Sequence, residues 1–245
     1  MMPALTVCIG FDPRETIAWH VLAHSIMRRA SRPVRILPIN LKQLEGWCYR
    51  RPEPHAEGAS TEFAFTRFLT PYLAGGGTSI FLDADMLVLG DICELADIAH
   101  TASSCDVLVV KHDYTPSTKT KFLNQPQSVY PCKNWSSVMV FNGYRTACRK
   151  LTPAYVNEAS PMDLHQFKWA VNVGELPPEW NHLVGEYKPN KKAKLVHYTL
   201  GGPYFKPYQH CEYAREWFAE FEDMCKCEEP SPFRYKPIDD LTKPA

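Results

Sequence analysis

Residues 78–91 read TSIFLDADMLVLGD, an apolar run that meets two acids and then resumes as a second apolar run. Ser79, Ile80, Phe81 and Leu82 have the character of a strand covered on both faces. Asp83 and Asp85 follow with only Ala84 between them. In an extended chain residues i and i+2 point the same way, so both carboxylates face one spot. An acid pair set into an apolar run is costly unless a divalent cation, an Arg or Lys, or helix N-termini satisfy it. The apolar flanks, the small Ala84 and the lack of Gly or Pro before Gly90 argue against a solvated turn and for a metal site.

Around this stretch, 245 residues with 45% hydrophobic content suffice for one large α/β domain with a full core. We expect a single domain over residues 1–227, with the Pro-rich, charged residues 228–245 as an extended or disordered tail. Lys and Arg total 27 and Asp and Glu total 27. This balance disfavours a nucleic-acid or anionic-membrane partner. No apolar run reaches the roughly 18–20 residues that span a bilayer, and residues 1–10 lack the pattern of a secretory signal. Nine scattered cysteines without a Cys-x-x-Cys pair read as free thiols. A cytoplasmic location is expected.

In chain order, residues 5–9 form a first strand, and Gly10-Phe11-Asp12-Pro13-Arg14-Glu15 reads as a strand-to-helix turn. Asp12 serves as N-cap, Pro13 suits the first helical position and Glu15 adds charge to the first turn. Residues 16–30 then form a helix. His20 and His24 on it are four apart, but without a third ligand they read as partly buried or surface histidines. Residues 34–39 give a second strand, and residues 46–60 a long polar loop. Residues 61–72 read as a helix carrying Arg67, one element before the acid strand, where it can meet a phosphate or carboxylate. Further strands are expected at 106–110, 136–142 and 194–198, and helices at 92–98, 144–159, 163–171 and 212–225. Residues 111–133 form a second long loop. Alternating strands and helices imply a mainly parallel, Rossmann-like central sheet with helices on both faces. His197 ends the last strand just before Gly201-Gly202, where backbone can approach a ligand closely.

Together these stretches resemble the GT-A-fold glycosyltransferases, in particular the glycosyltransferase family 8 type that includes glycogenin and lipopolysaccharide galactosyltransferases. The resemblance runs in order across most of the chain: Arg67, FLDAD at 81–85, WSSVMVFN at 135–142, Leu164-His165-Gln166, Trp180-Asn181, and VHYTLGGPYFKPY at 196–208. It implies Mn²⁺ (or Mg²⁺) held by Asp83, Asp85 and His197 on the diphosphate of a UDP-sugar, whose sugar passes to a glycan or other hydroxyl acceptor. A cation there stabilises the charge that grows on the leaving diphosphate. The nucleoside would sit at Gly10, Phe11 and Asp12. Arg67 would approach the Asp83-Ala84-Asp85 face, and Gly201, Gly202 and Lys206 would close over the phosphates. Gln166 would line the donor-sugar pocket, with His165 on a sugar hydroxyl and Asp163 close by on the same helix.

The chain departs from the family at two places. More residues separate His197 from Lys206 than in the usual His-x-x-Gly-x-x-Lys, and His165 stands where relatives carry Asp. Retention at the anomeric carbon is the expected outcome, because a donor phosphate oxygen can then take the acceptor proton. Two rivals share the pattern. Haloacid-dehalogenase phosphatases attack phosphate with the first Asp, but their motif lies near the domain start and continues with a small hydroxyl residue, where Met86 stands here. A nucleotide-sugar or glycan-binding protein without turnover is the other, favoured by His165.

Overall fold

The computed structural model describes residues 4–51, 59–116, 118 and 131–226. The expected tail at 228–245 lies outside them, as do parts of both long loops. Strand β1 (Leu5–Phe11) opens the chain, followed by a 3₁₀ turn (Pro13–Glu15) and helix α1 (Thr16–Arg29). Strand β2 (Val34–Asn40) and the short α2 (Leu41–Leu44) come next, then a 3₁₀ turn (Thr66–Leu69) leading into α3 (Thr70–Leu73). Strands β3 (Thr78–Leu82) and β4 (Met86–Val88) flank the acid pair and precede α4 (Cys93–Thr101) and β5 (Val107–Val109). The second half contains β6 (Val138–Asn142), α5 (Thr146–Arg149), α6 (Pro153–Glu158), α7 (Pro161–His165), β7 (Val173–Glu175), β8 (His182–Leu183), β9 (Leu195–His197) and α8 (Ala214–Cys225).

Six strands form the central sheet in the order β2-β1-β3-β6-β5-β7. Antiparallel pairing of β6 with both β3 and β5, and parallel pairing elsewhere, leaves β6 as the one reversed strand. The sheet is therefore mainly parallel, as expected. Ile80, Phe81 and Leu82 of β3 are fully buried at its centre, which is why this run contains no polar residue after Ser79. A separate three-stranded sheet, β4-β9-β8, carries the last strand of the sequence reading. Its apolar residues Leu87 and Val196, with Val184 and Tyr198 just beyond its strands, join Val21 of α1 and Trp217 of α8 in a second, smaller core.

Several sequence expectations are corrected. Gly10 and Phe11 belong to β1 rather than to the turn, because both pair in register with β2, at Ile39 and Asn40. The helix expected over 61–72 is a 3₁₀ turn and a single α-turn restarted at Pro71. The helix expected over 144–159 is two, since Pro153 and the Thr152 cap begin a new one. The helix expected over 163–171 is displaced to α7, capped by Ser160 and ended before Phe167, whose φ is 57°. Strands β7 and β8, too short to announce themselves by alternation, were not anticipated.

Candidate active site

The main strand of the core stops at Leu82, and the chain bends through Asp83-Ala84-Asp85 before restarting as β4 in the second sheet. The acid pair is thus a bend between two sheets, not the extended segment expected, yet it still directs both carboxylates to one place. Two backbone bonds hold it. Asp83 N–H donates to Ser137 O at 3.0 Å, and Tyr198 N–H donates to Asp85 O at 2.9 Å. Because Met86 pairs with His197 across the β4–β9 ladder, the imidazole arrives beside Asp85. His197 Nε2 lies 3.2 Å from Asp85 Oδ1 and 3.9 Å from Asp83 Oδ2. One ligand atom from each of the three residues falls within 4.8 Å of the others.

The donor set fits a divalent ion. Two carboxylate oxygens and an imidazole nitrogen suit Mn²⁺ or Mg²⁺-like sites that retain open positions, and mixed ligation favours Mn²⁺ over Ca²⁺. Arg67 occupies the other side of the pair. Its Nη1 meets Asp83 Oδ1 at 2.8 Å and also donates to Ser136 O at 2.9 Å. The guanidinium lies over the rings of Phe63 at 5.2 Å and Phe81 at 5.0 Å, which fixes a cation in a buried position. The sequence placed Arg67 one element before the acids, and the structure brings it into contact with them.

His197 is itself oriented from behind. Its Nδ1 is 3.1 Å from Asn181 Oδ1, and Asn181 is completely buried at the end of the 3₁₀ turn Pro178–Trp180. Asn181 Nδ2 donates to Ser137 Oγ at 2.8 Å and to Asn134 O at 3.4 Å. Ser137 therefore serves two ligands, Asp83 through its carbonyl and His197 through Asn181.

Glu15, read from sequence only as first-turn charge, is buried beside this centre and accepts a hydrogen bond from Tyr204 Oη at 2.7 Å. Burial, and then the charge of Asp85, push its carboxyl up to about 8. No sequence signal marks it, because its burial depends on Tyr204, 189 residues away. His112, three residues beyond β5, is another unanticipated neighbour. Burial and then the imidazoles of His197 and His182 push it down to about 3, and its Nδ1 lies 3.1 Å from Tyr187 Oη.

Gly10 lies at the end of β1, where an added Cβ would come within 2.4 Å of the Phe63 ring. Asp12 is fully buried and caps the turn. Burial opposes its charge, but bonds from the Arg14 side chain and backbone hold its carboxyl below the ordinary range. Gly201 and Gly202 are covered by the rings of Tyr208 and Tyr204, and Lys206 is exposed in the 3₁₀ turn Lys206–Tyr208. His165 Nδ1 lies 2.9 Å from Ser136 Oγ, and its ring packs edge-on to Phe65 and Phe68. Burial, then the Arg67 charge, push it down to about 3. Asp163 pairs with Lys168 at 2.8 Å, and Gln166 caps α7.

No protein-family model matches the chain. Protein CDI of Arabidopsis thaliana is 41% identical to it over 229 residues, covering 90% of this chain and 87% of that protein. Among solved structures, galactosyltransferase LgtC in complex with donor and acceptor sugar analogs is similar with a TM-score of 0.53 and 12% identity, over 91% of this chain and 98% of LgtC. The glycosyltransferase GlyE of Streptococcus pneumoniae TIGR4 gives 0.57 and 10% identity, over 91% of this chain and 62% of GlyE. The apo WbbM bifunctional glycosyltransferase gives 0.56 and 16%, over 90% of this chain. This chain spans half of WbbM. The fold is the GT-A type.

Proposed function

The chain belongs to the family of Protein CDI from Arabidopsis thaliana, and from that premise and its GT-A fold we propose that it is a metal-dependent glycosyltransferase of the family 8 type. Its donor is a UDP-sugar and its acceptor a glycan or other hydroxyl compound. One observation carries the reading: Asp83, Asp85 and His197 converge within 4.8 Å at the sheet's carboxyl edge, with Arg67 on Asp83. Asp83, Asp85 and His197 would hold Mn²⁺, and Arg67 would orient Asp83 while offering positive charge toward the donor. When bound, the cation supplies positive charge to the departing diphosphate.

Retention of anomeric configuration is part of the proposal. A base on α7 is poorly supplied, because the His165 imidazole is held at about 3 and Asp163 is engaged by Lys168. A donor phosphate oxygen taking the acceptor proton needs no such base. The eight described cysteines are all free, which supports a reducing, cytoplasmic setting. Among the described residues no helix is long and apolar enough to cross a membrane.

The test is a screen of UDP- and GDP-sugars for Mn²⁺-dependent thermal stabilisation and transfer, with Asp83→Asn and Asp85→Asn as controls. Wild-type protein should be stabilised by a UDP-sugar only with the cation, and both variants should lose at least tenfold in that binding while remaining folded. UDP binding of undiminished strength in the double variant would remove the metal from the proposal. Turnover of p-nitrophenyl phosphate that depends on Asp83, without sugar transfer, would make the chain a phosphatase.

A further inference from the structure

We propose that Asn181 is the positioning residue that fixes the tautomer of His197, presenting an unprotonated Nε2 to the cation. This rests on the metal-dependent reading above and extends it to a residue that does not itself ligate. A side-chain amide offers two donors on nitrogen and only acceptor sites on oxygen, so the partners of Asn181 decide which end meets the imidazole. Ser137 Oγ donates its own proton to Asn134 O at 2.7 Å. It must therefore accept from Asn181 Nδ2, 2.8 Å away. The second Nδ2 proton is directed to the same Asn134 carbonyl. A flipped amide would set its oxygen against that carbonyl, leaving two acceptors facing each other in a site with no exposure. Oδ1 is left for His197 Nδ1 at 3.1 Å, and because Oδ1 only accepts, Nδ1 carries the proton.

The consequence appears at the opposite ring atom. With the Nδ1 proton held by Asn181, Nε2 is the ring nitrogen left to face the carboxylates, 3.2 Å from Asp85 Oδ1 and 3.9 Å from Asp83 Oδ2. A free imidazole prefers no such arrangement strongly, so the buried relay Asn134–Ser137–Asn181 selects it. The same Ser137 holds the Asp83 backbone at 3.0 Å, so the relay sets the His and one Asp relative to each other.

The experiment uses the full chain in three forms, wild type, Asn181→Leu and Asn181→Asp, with Mn²⁺ alone as the probe. In wild type, with and without Mn²⁺, ¹⁵N-histidine NMR should show a proton on His197 Nδ1. Leucine keeps the branched shape and removes the acceptor, and should release the Nδ1 proton of His197 and weaken Mn²⁺ binding by electron paramagnetic resonance about 10–100-fold. Aspartate keeps an acceptor for Nδ1 but sets its second oxygen toward the Asn134 carbonyl, so it should keep the Nδ1 proton and bind Mn²⁺ more tightly than the leucine variant while falling short of wild type. Circular dichroism and thermal melts establish that each variant folds. Should the leucine variant fail to fold, wild type against the aspartate variant and Ser137→Ala decides, the last being expected to populate both tautomers. A wild-type His197 without a proton on Nδ1 overturns the proposal, as does a folded leucine variant with wild-type Mn²⁺ affinity. If wild type binds no Mn²⁺, the transferase reading fails, while the tautomer result still judges Asn181.

Discussion

Glu15 shows how one buried side chain couples stability to pH. Its carboxyl rises from an ordinary 4.5 to about 8 because it is buried and faces Asp85. The unfolded chain releases this proton above about 4.5, whereas the fold keeps it to about 8. Stability contributed here is therefore undiminished below the unfolded value and falls as pH rises through that window, by roughly a few kcal/mol. Glu15→Gln keeps an acceptor for Tyr204 but cannot ionise. Metal-free Glu15→Gln should melt at nearly the wild-type temperature at pH 4.5 and clearly higher at pH 8.5, and parallel pH profiles would refute the assignment.

At the scale of elements, the close approach of β1 to the segment carrying Arg67 sets the geometry of the site. Gly10 leaves room for the Phe63 ring, which in turn packs on Phe81 at 6.1 Å and under the Arg67 guanidinium. Gly10→Ala has no flexible neighbour to displace, because Phe63 is itself buried. The variant should lose about 1–3 kcal/mol by overpacking and, since Arg67 moves with Phe63, should also weaken Mn²⁺-dependent donor binding. Urea unfolding and a UDP titration read the two effects separately, and a Gly10→Ala protein unchanged in both would show that this contact is soft.

Across the whole molecule, α8 is fastened to α1 by a single buried carboxylate. Glu220, 1% exposed, meets Arg29 at 2.6 Å, His24 at 2.5 Å and Arg28 at 3.4 Å. This accounts for His24, whose spacing from His20 hinted at metal. Glu220→Ala leaves a cluster of cations without its counter-charge and should cost about 3–5 kcal/mol. Arg28 is half-exposed and shares itself with Asp223, so Arg28→Ala should cost under about 1 kcal/mol. Chemical denaturation of both variants tests the ranking. Equal losses would place the docking energy in the stacked Trp217 and Phe221 rather than in Glu220.

The central strand, the acid pair and the longer strands and helices were legible in the sequence, because these depend on local pattern. A run such as Ile80-Phe81-Leu82 must be buried wherever it lies, and two acids after it need a divalent cation, a basic side chain or helix N-termini to satisfy them. Arg67 and His197 were also legible, Arg67 as a charge set among apolar residues one element before the acids and His197 as the end of the last strand, and both reach Asp83. How these parts meet was set by contacts between distant segments. The reversal of β6, the bend at Asp83–Asp85 and the second sheet follow from pairings between residues far apart in the chain, such as Met86 with His197. Glu15 was invisible as a site residue for the same reason, and Asn181, though singled out in the Trp180-Asn181 stretch, had no role that the sequence could assign. A carboxylate in a first helical turn and an amide after a Trp look like solvated caps until Tyr204, Ser137 and His197 close around them. Hydrogen-bond partners are chosen by three-dimensional proximity, and no local periodicity records that choice.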